Sequence, residues 1–458
     1  MKKIVLTLIA AMICGFQTQS FASSSVDALI QKLEDKGILT DQDAAQLKDE
    51  IGANEKNSQE STFKTLLPDW LNNMKVSGDF RLRDQLQVRK VPLTSGGGHN
   101  FDRNRGRMRV RLNFEDQVND KLKVIVGIAT DGEGGTFPGN DRSNNITFGG
   151  NAGSEGTFNK SSLVLNKAYA VYTPASWATL MGGQMDNPIW EPASLLWDPD
   201  ITPIGGVVQL QKRVNDLVTP FSTNAMFILK DNSPSTTTTK TDPYMFVTQE
   251  GIKGNLTDKV YYKAAASYYN LSNPTHLFLD NGTDLSGATT IGGNTIFPGT
   301  TSKYLYDFEL VGGDIELGMN DPLGEMLDNL PVPVYVAQAG VFGSYYQNIE
   351  APSGDNTSWE AGAYVGNSAL NGWGTWKLQS YYKVLERDSW VDALPDDDFY
   401  SGDTDTAGWR NQLDIGLAKN AWFSLTYFRT HVYKTYGTTT FSQKAPEDLF
   451  QMDLNMKF

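Results

Sequence analysis

Five arginines stand at alternating positions in two neighbouring stretches. Arg81 and Arg83 end Val76-Ser77-Gly78-Asp79-Phe80-Arg81-Leu82-Arg83, and Arg107, Arg109 and Arg111 open Arg107-Met108-Arg109-Val110-Arg111-Leu112-Asn113-Phe114. Guanidinium groups stay charged at physiological pH and present a rigid fork to carboxylates and phosphates. A ladder of them makes and breaks no covalent bonds; it orders water, ions and dipoles in front of it. A second charged stretch runs from Asp186 to Asp200, where Glu191, Asp198 and Asp200 accompany Ile189, Trp190, Leu195, Leu196 and Trp197.

Residues for covalent or metal chemistry are sparse. His99, His276 and His431 lie far apart, with no metal-ligand spacing and no evident serine nucleophile. Asp396, Asp397 and Asp398, with Asp403 and Asp405, offer hard oxygen ligands without the spacing of a known calcium loop, so they read as a solvated outer loop. Asp131-Gly132-Glu133-Gly134-Gly135 lacks the strand–loop–helix setting of a phosphate cradle. Cys14 is the one cysteine and falls in a segment expected to be removed. The expectation is no enzyme, no metal and no cofactor. A net charge of −14 argues against nucleic acid as a partner.

The elements that position the arginines are strands. Successive strand residues point to opposite faces, so Arg81 and Arg83 back onto Val76, Phe80 and Leu82, and Arg107, Arg109 and Arg111 back onto Met108, Val110, Leu112 and Phe114. An arginine on a lipid-facing surface near the bilayer midplane costs about 2–4 kcal/mol; if one face meets lipid, the arginines face the lumen. The C-terminus repeats the pattern, with Phe450, Met452, Leu454, Met456 and Phe458 alternating with polar residues. Strands are predicted at 75–87, 105–117, 121–130, 162–173, 178–185, 205–213, 219–229, 244–253, 259–269, 304–319, 332–347, 357–367, 374–387, 409–418, 421–433 and 449–458, about sixteen in all. Their connections alternate between short, as at Asn119-Asp120 and Lys419-Asn420, and long, the rhythm of an outer-membrane β-barrel. A mean hydropathy of −0.37 is too polar for a bundle of membrane helices and suits a barrel, half of whose strand residues face water. The predicted fold is an all-β transmembrane, about 16-stranded antiparallel barrel over residues 75–458. Tyr261-Tyr262, Tyr268-Tyr269, Tyr345-Tyr346 and Tyr381-Tyr382 suit interfacial girdles.

Residues 1–22 read as a secretory signal peptide: Lys2 and Lys3, an apolar Ile4-to-Phe16 core, and Ser20-Phe21-Ala22 before the cleavage point. Residues 23–74 read as a short periplasmic helical segment and linker, with Val26, Leu29, Ile30 and Leu33 at helical spacing. That segment is expected to dock on itself, pair with copies in an oligomer, contact peptidoglycan, or act as a mobile tether.

The terminal strand resembles the C-terminal strand of Gram-negative porins, and Gly-Asp-Phe-Arg-Leu-Arg followed by Arg-Gly-Arg-Met-Arg-Val-Arg-Leu resembles the opening of the "putative porin" family of Gram-negative outer membranes. The resemblance runs from about Lys75 to Phe458, plus the helical preamble. It implies that Phe458, with Met456 and Leu454, is a barrel-assembly signal, and that the third outer loop folds into the lumen. Glu191, Asp198 and Asp200 would then stand across from Arg81, Arg83, Arg107, Arg109 and Arg111 and set up a transverse field. The implied function is passive diffusion of small hydrophilic solutes and ions, in contact with outer-membrane lipid and lipopolysaccharide. A homotrimer is implied as well, with a monomer left open. The rival reading is a structural or adhesive outer-membrane barrel that anchors the envelope and has no open pore.

Overall fold

The computed structural model describes residues 74–90, 100–131, 143–150, 161–231, 242–274, 293–295, 304–324, 336–434 and 446–458. Chain contacts divide the protein at residues 73 and 74, and Met74–Phe458 is the barrel unit. The expected signal peptide, the helical segment up to residue 73, and His99 and His276 lie outside the described residues.

Sixteen strands form a closed antiparallel barrel. They are β1 (Lys75–Lys90), β2 (Asn100–Asn119), β3 (Leu122–Thr130), β4 (Leu163–Ala175), β5 (Ala178–Gln184), β6 (Ile204–Gln211), β7 (Thr219–Ile228), β8 (Tyr244–Asn255), β9 (Val260–Ser272), β10 (Phe308–Asn320), β11 (Gln338–Asn348), β12 (Thr357–Gly366), β13 (Trp376–Leu385), β14 (Thr406–Ala418), β15 (Ala421–Val432) and β16 (Glu447–Lys457). Each pairs with its neighbour in sequence, and β1 pairs with β16 from Asp79–Lys457 to Arg89–Glu447. The ring closes on the last residue: Gly78 N donates to the Phe458 carbonyl at 2.9 Å, and Phe458 N donates to Gly78 O at 3.1 Å. Closure leaves no edge strand to recruit another chain. One further two-residue strand, Ile146–Thr147, pairs with Arg107 and Met108 where β3 has already stopped at Thr130.

Short turns are set by side chains that bond the local backbone. Asn119 Oδ1 accepts from Lys121 N and Leu122 N at 3.0 and 3.1 Å, and Asn215 Oδ1 accepts from Val218 N at 2.7 Å. Asn420 takes the left-handed conformation (φ 61°) that asparagine tolerates better than most residues.

Burial is inverted relative to a water-soluble sheet. On β16, Phe450 and Met452 are 44% and 43% exposed, while Gln451 and Asp453 are 2% and 5% exposed. The same inversion holds on β10, where Ile315 and Leu317 are exposed and Asp314 is buried. The apolar band faces lipid and the polar set faces the interior. The tyrosine pairs split, because neighbours on a strand face opposite ways. Tyr269, Tyr346 and Tyr381 are buried inside. Tyr382 faces outward between Trp359 and Trp409, with ring centres 5.7 and 5.2 Å away, and that half of the pairs forms the girdle.

Candidate functional site

The arginine ladder occupies adjacent rungs. In register, Asp79 faces Arg111, Arg81 faces Arg109, and Arg83 faces Arg107 across β1 and β2. On the other side of β1, Arg83 faces Asp453 of β16. All point inward, and each has partners. Arg109 and Arg111 both grip Asp79 at 2.8 Å and both reach Asp200 Oδ1 at 3.2 Å. Arg83 donates through Nε and Nη2 to the two oxygens of Asp453, and through Nη1 to Asp398 at 2.9 Å. Arg81 donates to Asn145 Oδ1 at 2.6 Å. Arg107 donates to Gln85, Ser143 and the Asn145 carbonyl at 3.3–3.4 Å.

The third outer loop connects β5 to β6. Its apolar residues Leu195, Leu196 and Trp197 are buried with Phe227, Met245 and Val247 from β7 and β8. Trp197 meets the Phe227 ring edge-on at 6.1 Å. Gln249 of β8 clamps the Trp190 backbone from both sides, at 3.0 and 2.8 Å. Lys383 of β13 donates to the Ser194 carbonyl at 2.9 Å. Contacts with β2, β8 and β13, which lie apart on the wall, carry the loop across the interior.

Of the three loop acids expected opposite the arginines, Asp200 is the one placed there. Burial would raise its carboxyl, yet Arg109, Arg81, Arg111 and Arg83 hold it below the usual carboxylate range. Glu191 turns the other way. Its Oε2 accepts from Leu196 N at 3.4 Å, and burial, followed by the charges of Asp314 and Glu360, pushes it well above that range. Asp198 faces the seventh outer loop, between β13 and β14. Its two oxygens accept from Asp200 N at 2.7 Å and Asp397 N at 2.9 Å. Burial, and then Asp396, Asp397 and Asp200, push Asp198 well up as well.

The seventh loop corrects the sequence reading of a solvated acidic loop. Trp390, Val391, Asp396 and Phe399 are buried, and Trp390 Nε1 donates to the Leu196 carbonyl at 2.8 Å. Asp198 N donates to the Leu394 carbonyl at 2.7 Å. The two loops pack as one body because each carries apolar residues that would otherwise face water. Tyr400, Ser401 and Asp405 take left-handed backbone angles (φ 52°, 64° and 56°), which packing around them must enforce. Carboxylate oxygens of Asp198, Asp396 and Asp397 come within 4.8 Å of one another, a spacing that one hard cation can bridge.

Several interior groups were not singled out from the sequence. Asp79 and Asp453 were legible in principle, since strand alternation puts them on the arginine face. Asp398 reads from the sequence only as part of a solvated loop, and its contact with Arg83 depends on how an irregular loop folds inward; Lys383 follows Tyr381 inward by alternation on β13, but its bond to Ser194 depends on the path of the third loop. Beside the third loop lies a cavity of about 280 Å³ lined by Trp190, Gln209, Phe221, Gln249, Lys253 and Lys263, with Lys263 Nζ 4.1 Å from the centre of the Trp190 ring.

Among solved structures, the chain is similar to Pseudomonas putida OprB (9% identity, 85% of this chain and 96% of that chain, TM-score 0.49). It is also similar to the outer membrane channel DcaP of Acinetobacter baumannii (11% identity, 84% and 97%, TM-score 0.42) and to a variant of Rhodopseudomonas blastica porin (9% identity, 84% and 100%, TM-score 0.38). No curated protein sequence matches it. The profile of the family described as "Putative porin" matches residues 91–276 and 334–458. Matched over more than half its length, the chain belongs to that family of Gram-negative outer-membrane channels.

Proposed function

We propose that this channel is a pore for passive diffusion of small hydrophilic solutes and ions, and that its selective passage is bordered by the arginine wall and the third loop, which meet at Asp200. The supporting observation is the double grip of Arg109 and Arg111 on Asp79 from the wall and on Asp200 from the loop. Fixed charges of both signs across an interior passage orient dipolar solutes and tax apolar ones. Arg81, Arg83, Arg107, Arg109, Arg111 and Asp200 form the charged passage; Glu191 and Asp198 seat the loop. Family and fold are those of a channel rather than an enzyme, and the pore uses no energy input.

The same reading gives the remaining segments their roles. Residues 1–22 direct secretion, and 23–74 supply a periplasmic helical segment and linker that docks on itself, pairs with copies, contacts peptidoglycan or serves as a tether. Leu454, Met456 and Phe458 mark the chain for barrel assembly. The barrel sits among outer-membrane lipid and lipopolysaccharide as a homotrimer.

The test is a planar-bilayer recording of the folded protein under a salt gradient. Uniform open steps with a measurable reversal potential support the pore, and Arg81→Gln, Arg109→Gln and Arg111→Gln together should move that potential toward cations. A structural or adhesive barrel draws support from the aromatic packing of the third and seventh loops inside. A silent membrane, with folding confirmed by heat-modifiable gel mobility, would replace the pore with that reading.

A further inference from the structure

The outer surface of β7 and β8 carries a polar cluster inside the apolar band. Gln249 and Thr223 point inward, to the Trp190 backbone and to Gln209, so Ser222, Asn224, Thr248 and Glu250 point outward. Ser222 pairs in register with Glu250, and Asn224 with Thr248. Thr248 Oγ1 donates to Asn224 Oδ1 (2.7 Å), Asn224 Nδ2 to Ser222 Oγ (2.8 Å), and Ser222 Oγ to Glu250 Oε1 (2.6 Å). Along β8 the cluster lies between outward Phe246 and Ile252, which are 45% and 43% exposed. It therefore sits in the band that meets acyl chains, not at a headgroup level.

Beside it the wall is flat. Gly182 of β5 and Gly206 of β6 pair in register, face outward with Leu180 and Val208, and have nothing within 4 Å of where a Cβ would stand. On the other flank, Ala264 and Ala266 of β9 sit opposite Ile252 and Glu250. Small residues let backbones approach closely, and intramembrane polar groups favour a protein partner over lipid.

We propose that the outward face of β5–β9 is the contact between copies of this chain in the membrane. Acyl chains can neither donate to Glu250 nor accept from Asn224. A second copy can, because the cluster holds donors and acceptors together and is complementary to groups of its own kind. A symmetry axis along the membrane normal also sets equal depths against each other, so each copy brings its polar groups to the height where its neighbour needs them. This deepens the homotrimer reading by naming the surface. It depends on the barrel's place in the membrane and not on the pore being open.

The test compares full-length wild-type protein with Gly206→Trp and Leu425→Trp, the latter on the outward face of β15. Sedimentation in detergent and in lipid nanodiscs reads the oligomer, and heat-modifiable gel mobility reads folding. The expected result is an oligomeric wild type, an oligomeric Leu425→Trp, and a folded but monomeric Gly206→Trp. Asn224→Cys should give a disulfide-linked dimer in intact outer membranes, and Leu425→Cys should not. An oligomer that survives Gly206→Trp and is not trapped through Asn224→Cys overturns this surface while leaving oligomerisation standing. A monomeric wild type overturns both.

Discussion

Arg109 Nη1 stands 3.2 Å from Asp200 Oδ1, and this contact ties β2 to the third loop across the interior. Both side chains are about nine-tenths shielded in the folded chain, at 10% and 11% exposure. Removing the acid leaves Arg109 and Arg111 with Asp79 as their shared counter-charge. Asp200→Asn should therefore shift the reversal potential toward anions in a salt gradient. Loss of the charged hydrogen bonds should cost about 1.5–3 kcal/mol in urea unfolding. An unchanged potential would show that ions do not pass this contact.

Trp390 joins the two interior loops by ring packing on Trp197, at 6.3 Å, and by its indole bond to Leu196. Trp390→Ala removes a fully buried aromatic, a change that costs about 3–5 kcal/mol in well-packed cores. In single-channel records, larger or noisier open steps than wild type are expected from loosened loops. Identical steps would place the loops outside the conducting path.

Asp198 is held above the ordinary carboxylate range by burial and by neighbouring acids. A raised acid stabilises the native state fully at pH values below its unfolded pKa, about 3.9, and that stability is lost as pH rises through the folded value. Wild-type loop docking should weaken as pH rises above about 4, read as growing protease access to the third loop. Asp198→Asn should reduce that dependence, and Asp198→Asn with Glu191→Gln should reduce it further.

Gly78 lies against the terminal residue. A Cβ there would stand 2.5 Å from the Arg111 carbonyl and 2.7 Å from the Phe458 ring, and the first of these is backbone that cannot swing away. Gly78→Val should obstruct closure of β1 on β16 and deplete the heat-modifiable folded band, while Ser77→Val should not. Normal folding of Gly78→Val would separate the closing contact from assembly.

Strand alternation made most of the barrel legible. A period of two in Phe450–Phe458 or Arg107–Phe114 fixes which side chains face lipid; Asn119 and Asn215 mark turns through local backbone bonds, and Asn420 through its left-handed backbone. The same rule, applied strictly, would also have split the tyrosine pairs. What alternation does not carry is the meeting of irregular loops. Nothing near Asp198 signals that Leu394 and Asp397 will accept it as a neighbour. The acidic run 396–398 looks solvated until the apolar residues before it, Trp390 and Val391, find Trp197.

That meeting has a consequence for the order of events in biogenesis. Leu196 and Trp390 are 194 residues apart, so their latch cannot fasten until β13 is in place. Until both are in place, each loop lacks the cover that the other gives its tryptophan in the finished barrel. Such distant pairings form slowly, and the greasy loop is a sticky target throughout that interval.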